Sequence, residues 1–260
     1  MIDKRLPLSE TPNLLKPGDT LALGGMTLYR RPVAFVRELL RQSPITNYQL
    51  TLLAFTASYE SDLLVGAGLI KRVRTCYFGL EAFGLAPMFT QAANLGDIEI
   101  VEETEASLAF GLRAALANVG FMAGRGWLGT DLPKLRPDVK TVVDPYNGET
   151  LIAFPAIPCD VAVIHALKAD PSGNAVIGGN PGVDIELAML ARTTIITAEE
   201  IVDKLDKADI PSPAVHAVAA APRGAWPTSC HPLYPLGGGE LLKYIDACNS
   251  ERFDDYLRGL

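Results

Sequence analysis

Thr20-Leu21-Ala22-Leu23-Gly24-Gly25 and, a short connection later, Pro32-Val33-Ala34-Phe35-Val36-Arg37-Glu38-Leu39-Leu40 decide how the chain folds. The first run is a β-prone apolar segment that stops at two glycines. The second is a helix-like stretch that begins behind a proline. Proline suits the first turn of a helix, because its ring fixes φ and its missing N–H belongs to a position left unbonded anyway. Together they form a strand, a glycine turn and a helix. The alternation continues: Gln49 to Phe55 predicts a buried strand, Ser61 to Leu69 a helix, Val73 to Phe78 a strand and Met88 to Leu95 a helix. Ile98 to Val101 predicts a short strand, after which Leu108, Leu112 and Ala115 recur on one helical face. Strands that alternate with helices pair in parallel, since each helix carries the chain back to the edge where the last strand began. The fold class is therefore α/β, a mostly parallel sheet flanked by helices.

Further along, Phe121 to Pro133, with Gly124, Gly126 and Gly129, predicts a loop. Thr141 to Val143 and Leu151 to Phe154 flank Pro145-Tyr146-Asn147-Gly148, whose Asn-Gly pair signals a hairpin. Val161 to His165 predicts a core strand leading into the turn Ala169-Asp170-Pro171-Ser172-Gly173-Asn174. Asp184 to Ala191 predicts a helix, Thr193 to Thr197 and Val215 to Ala219 strands, and Leu241 to Leu260 a helix after Gly237-Gly238-Gly239. With no repeat, low-complexity tract or long linker, residues 1–260 are expected to form one domain.

The length of 260 residues is ample for a large core without disulfide or metal staples. A net charge of -7 and no basic run longer than Arg30-Arg31 argue against nucleic acid as a partner. They do not exclude a phosphate-bearing ligand, which helix N-termini and local Arg or Lys can hold. Hydrophobic residues make up 48% of the chain and the mean hydropathy is +0.19, an apolar excess that anticipates a surface covered by a partner. The first residues carry no secretory pattern, and no apolar run reaches the roughly 20 residues of a membrane span, so the expected location is the cytoplasm. Cys76, Cys159, Cys230 and Cys248 are scattered without a CxxC pair, and are expected to be reduced thiols. Cys230-His231 offers too few ligands for zinc, and no metal is expected.

His165-Ala166-Leu167-Lys168-Ala169-Asp170-Pro171-Ser172-Gly173-Asn174-Ala175, then Gly178-Gly179, Asp184 and Ala188, then Thr193 to Val202 with Glu199-Glu200, resembles the A subunits of family I coenzyme A transferases. Gly24-Gly25-Met26 through Arg31-Pro32 to Leu39 looks like that family's first βα unit, and Phe121-Met122 to Gly129-Thr130-Asp131 fits it too. The order and spacing of these matches, from about residue 20 to 205, carry the likeness. Within the family the chain looks most like the A subunits of glutaconate CoA-transferases and of a ring-opening CoA-ester hydrolase of bacterial steroid degradation. The resemblance implies a NagB/RpiA/CoA transferase-like fold and a partner, the B subunit, in a heterodimer or α2β2 heterotetramer. It also implies an acyl-CoA and a carboxylic acid as reactants, with coenzyme A as substrate and no permanently bound cofactor.

In transferases of this kind a glutamate carboxylate attacks the thioester, giving an acyl-glutamyl anhydride and then a glutamyl-CoA thioester. A carboxylate is a weak nucleophile in water, so the site has to position it, exclude solvent and supply donors to the oxyanion. The resemblance puts that glutamate in a Ser-Glu-Asn-Gly-like motif of the B subunit, and no Ser-Glu-Asn-Gly occurs here. For the steroid-degrading relatives it implies that a glutamate of the A chain acts in hydrolysis. Glu105 is the matching position, with Glu102 and Glu103 as alternates. Glu105 follows a strand and opens a helix, where α/β sheets present ligand-binding groups. The plainer alternative makes all three acids a solvated first turn favoured by the helix dipole.

Gly24 and Gly25 are candidates to approach the substrate or CoA backbone-first, or they serve only a tight turn. Arg125 and Gly129, in their glycine-rich loop, are further binding candidates; the arginine either pairs with a carboxylate or phosphate or is simply exposed. Gly173 and Asn174 read as a structural turn, and His165 as a hydrogen-bonded core histidine. Three functions stay open: a CoA-transferase component with its glutamate in trans, a CoA-ester hydrolase using Glu105, and a non-catalytic scaffold that completes its partner's CoA pocket.

Overall fold

In the computed structural model, which describes residues 2–42 and 48–260, strands and helices alternate throughout the first half of the chain. They are β1 (Thr20–Leu23), α1 (Val33–Gln42), β2 (Leu50–Ala54), α2 (Tyr59–Gly66), β3 (Ile70–Thr75), α3 (Pro87–Leu95), β4 (Glu99–Glu102) and α4 (Glu105–Leu116). There follow β5 (Phe121–Gly124), α5 (Leu132–Leu135), β6 (Lys140–Val143), β7 (Thr150–Pro155), β8 (Val161–Ala169), β9 (Ala175–Val176) and α6 (Asp184–Leu190). The chain closes with β10 (Thr193–Ile201), β11 (Ala217–Ala220), α7 (Gly238–Asn249) and α8 (Phe253–Arg258).

The large sheet is ordered β11-β10-β8-β1-β2-β3-β4, and all six pairings along it are parallel. Only the short β9 pairs antiparallel, on β8. β1 is placed by Leu21 pairing with Leu52 on one side and Val161 on the other. The chain builds outward from β1 to β4 and then returns to start the other half at β8, so the strand order reverses between β1 and β8. One face packs Leu21, Leu23, Leu52 and Val163 with Phe35 of α1 and Leu63 of α2. The other packs Ala22, Leu53 and Ala162 with Leu108 and Leu112 of α4 and Leu187 of α6. Each leucine, valine or phenylalanine among them contributes roughly 1.5–3 kcal/mol on burial.

Phe121 to Pro133 departs from the loop expected there. Its first four residues are β5, which pairs antiparallel with β7 (Phe121 opposite Pro155), and β7 pairs with β6. Gly124 serves close packing, not a turn: a Cβ there would stand 2.8 Å from the Phe110 ring of α4. The β6–β7 hairpin turns at Asn147-Gly148, with Gly148 at φ +76°. The C-terminal helix is also interrupted, between α7 and α8, where Glu251 adopts φ +56°. Among the described residues no helix is long and apolar enough to cross a membrane.

Candidate active site

Ligands of open parallel sheets bind beyond the C-terminal strand ends, at the point where strand order reverses. Gly24-Gly25 lies there, directly after β1. The Gly24 N–H donates to the Val163 carbonyl (2.9 Å) and the Gly25 N–H to the Asp184 carboxylate (2.9 Å to Oδ1). A Cβ on Gly24 would stand 2.8 Å from Asp184 Oδ1, and one on Gly25, at φ +88°, 2.6 Å from the Arg30 carbonyl oxygen. The two glycines are thus required by the turn itself, and their N–H groups are engaged within the chain.

Two buried arginines clamp this turn. Arg30 donates to Asp184 Oδ2 (2.6 Å) and to the His165 carbonyl (2.8 Å). Arg31 donates to the Gly25 carbonyl (2.9 Å) and, through Nε and Nη2, to Glu60 Oε1 (2.9 and 2.6 Å). Arg30, Arg31, Glu60 and Asp184 are all withdrawn from solvent. In the sequence Arg30-Arg31 is one of several basic pairs, alongside Lys4-Arg5 and Lys71-Arg72. The available signal was its place between a glycine pair and a helix-opening proline, where two surface arginines have no evident use.

The structure separates the three acids beyond β4. Glu103 is buried and ion-paired with Arg74 Nε and Arg136 Nη1, both at 2.9 Å. Ser107 Oγ donates to its second oxygen. Arg136 also donates to the Glu102 carbonyl (2.7 Å), tying down the backbone that leads into α4. The Glu102 side chain is exposed at the edge of the sheet. Glu105 is exposed as the first residue of α4, just past the N-cap Thr104, whose side chain forms a capping box with Ser107. It lies beside Cys76, which follows β3: burial first, and then the charge of Glu105, push the Cys76 thiol up to about 11. Cys76 is accordingly a neutral thiol that donates to the Phe55 carbonyl.

The glycine-rich loop joins this end of the sheet. Trp127 is buried and donates through Nε1 to Thr104 Oγ1 (2.9 Å), and a Cβ on Gly126 would lie 3.3 Å from that of Ala106. Arg125 is exposed and pairs with Glu149, while Gly129, at φ +77°, faces open space. Arg125 and Gly129 belong to the loop that packs its Gly126 and Trp127 against the start of α4.

His165 is a buried core histidine: Nδ1 meets Thr197 Oγ1 at 2.9 Å and Nε2 meets Glu199 Oε1 at 2.8 Å. Burial lowers its pKa despite the opposing pull of Glu199, which keeps the ring neutral near pH 7. Glu199 also accepts from Tyr234 Oη and from the Arg223 N–H. The Cys230 sulfur lies within 4.8 Å of these His165 and Glu199 atoms, a grouping invisible in the sequence spacing. Both ring nitrogens and both carboxylate oxygens already have hydrogen-bond partners, so the cluster ties the 221–236 segment onto the sheet. The four cysteines are free of disulfides.

Residues 8–221 match the family model described as Coenzyme A transferase, and the chain belongs to that family. The A component of the 3-oxoadipate CoA-transferase of Pseudomonas knackmussii is 36% identical, across 93% of this chain and 89% of the relative. The IpdA component of the cholesterol ring-cleaving hydrolase of Mycobacterium tuberculosis is 34% identical, across 96% and 90%. Among solved structures, a variant of the decarboxylase AibA/AibB superposes with a TM-score of 0.92 at 30% identity, covering 100% of this chain and 98% of the other. Glutaconate coenzyme A-transferase from Acidaminococcus fermentans superposes with 0.89 at 29% identity, covering 98% and 88%. The mostly parallel sheet flanked by helices is thus the architecture of a known CoA-transferase.

Proposed function

We propose that this chain is the A component of a heteromeric acyl-CoA:carboxylate CoA-transferase, which moves coenzyme A between carboxylic acids through a glutamyl-CoA thioester on a B subunit. The observation that carries this reading is the match to the A component of a transferase over 93% of a chain that has no Ser-Glu-Asn-Gly of its own. A glutamate oxygen of the partner attacks the thioester carbonyl carbon, the C–S bond breaks, and CoA leaves as thiolate. The thiolate then attacks the glutamyl carbonyl of the anhydride, releasing the first acid as its carboxylate. An acceptor carboxylate runs the same steps in reverse. The present chain supplies the clamped strand ends against which the thioester is oriented. Arg125, by exchanging Glu149 for a substrate carboxylate or phosphate, and Gly129 line the approach. CoA enters and leaves as substrate, with no resident cofactor, and the expected setting is the cytoplasm.

The placement of Glu105 favours a second reading. Of the three acids it combines exposure with a seat at a helix N-terminus beyond a strand end. In a CoA-ester hydrolase its carboxylate would take a proton from the attacking water. The test is to co-express the chain with the product of the adjacent gene, incubate the complex with acyl-CoAs and map covalent adducts by mass spectrometry. A CoA-modified glutamate on the partner, with turnover that survives Glu105→Ala, is the expected result. Turnover to free CoA without an adduct, reduced about 10²–10⁴-fold by Glu105→Ala, would replace the transferase with the hydrolase.

A further inference from the structure

A cavity of about 350 Å³ opens where the strand order reverses, lined by Tyr29, Leu167, Gly178, Gly179, His231 and Pro232, with Asn180 beside them. Two of the segments that line it are tied together. The 28–30 segment is zipped to Ser229: the Arg30 N–H donates to the Ser229 carbonyl at 2.7 Å, and the Ser229 N–H to the Leu28 carbonyl at 2.8 Å. Glu199 holds the same 221–236 segment from below, through Tyr234 and the Arg223 N–H. The room exists because residue 178 lacks a side chain: a Cβ there would stand 2.8 Å from Leu167 Cδ1 and 3.6 Å from Tyr29 Oη. No carboxylate, lysine or arginine is among the lining residues; the cavity's polar groups are the exposed Asn180 and His231 side chains and the Tyr29 hydroxyl, which donates to the His231 carbonyl (3.4 Å). The rest of the lining is Leu167, Pro232, the Tyr29 ring and the Gly178-Gly179 backbone, which suit hydrocarbon.

We propose that this crevice receives the hydrocarbon tail of the acyl group and that Leu167 sets its permitted length. The proposal rests on the CoA-ester reading above, and preformed walls favour it because little ordering entropy is lost on binding. One added or missing methylene in an apolar pocket changes discrimination by roughly 10–200-fold. The experiment uses the complex with its partner and acetyl-, butyryl-, hexanoyl- and octanoyl-CoA, reading the ratio of kcat/KM for each tail to that for acetyl-CoA. Leu167→Phe, which narrows the crevice, is expected to lower the octanoyl-to-acetyl ratio at least about tenfold. Leu167→Ala should shift the profile toward longer tails. Gly179→Val, at an exposed position where a Cβ meets nothing within 4 Å, is a second narrowing variant should Leu167→Phe fail to fold. Ratios that do not move in folded variants overturn the tail pocket, as they would if the crevice held the pantetheine arm common to every CoA ester. Absence of turnover with all four thioesters overturns the CoA-ester reading itself, and the pocket with it.

Discussion

Arg31 and Glu60 form an ion pair with both side chains fully withdrawn from water, and Glu60 Oε2 has no hydrogen-bond partner among the described residues. Breaking such a pair from one side leaves a desolvated charge, which typically costs about 3–5 kcal/mol, whereas replacing both partners by apolar groups is often neutral. Arg31→Met should therefore lower stability by about that amount in urea titrations, and Arg31→Met with Glu60→Leu should recover most of it. A loss below about 1 kcal/mol for the single variant would show that the pair does not hold the Gly24-Gly25 turn. The sequence offered only the arginine pair's place between Gly24-Gly25 and the helix-opening Pro32. A pair of adjacent arginines carries no mark of burial, and their partners at 60 and 184 are set by the fold. Glu105 was singled out by family likeness and by its seat at a helix start. What distinguishes it from Glu103 is the Arg74–Arg136 clamp, which needs the third dimension.

The β8–β9 turn is the element whose chemistry was most legible. Asp170, Ser172, Gly173 and Asn174 are turn formers, and in the structure the Asp170 carboxylate accepts from the backbone N–H groups of Ser172, Asn174 and Leu205 and from the Ser172 and Asn174 side chains. Burial alone would push this carboxyl up; the donors more than offset it and leave it at about 2. A folded pKa below the unfolded value of 3.8 means stability that is present above about pH 4 and lost as pH falls toward 2. At neutral pH the contribution is about 2 kcal/mol. Asp170→Asn should lose roughly that much at pH 7, and the gap between variant and wild type should close between pH 4 and 2 in acid-titrated melts. A pH-independent gap would make the turn's role purely steric. The parallel strands were equally legible, because buried apolar runs between helical patterns have few other uses. β5 was hidden by its glycine, which sequence logic assigns to a turn and the structure assigns to contact with Phe110.

For the whole molecule, the reversal of strand order at β1 fixes where a ligand crevice opens, and the segments after β1, β8 and β9 converge there. The apolar excess of the sequence has a place as well. Leu85 (72% exposed), Leu95 (66%) and Leu135 (66%) stand out of the surface. On the β5-β7-β6 sheet, antiparallel register puts Phe121, Ala123, Leu151, Ala153 and Pro155 on the face turned away from the Ile152–Phe154 core. An antiparallel sheet with one face in water ordinarily alternates with polar residues there. Apolar surface of this kind is where the partner proposed above would sit. The lone 27.9 kDa chain is therefore expected to self-associate or precipitate, and co-expression with the proposed B subunit to give a single αβ or α2β2 species by light scattering. Added salt should not dissociate that species, because apolar contacts are not screened as surface ion pairs are. A monodisperse, thermally stable monomer of the lone chain, unchanged by the partner, would mean that these faces are ordinary surface and that the apolar excess serves no assembly.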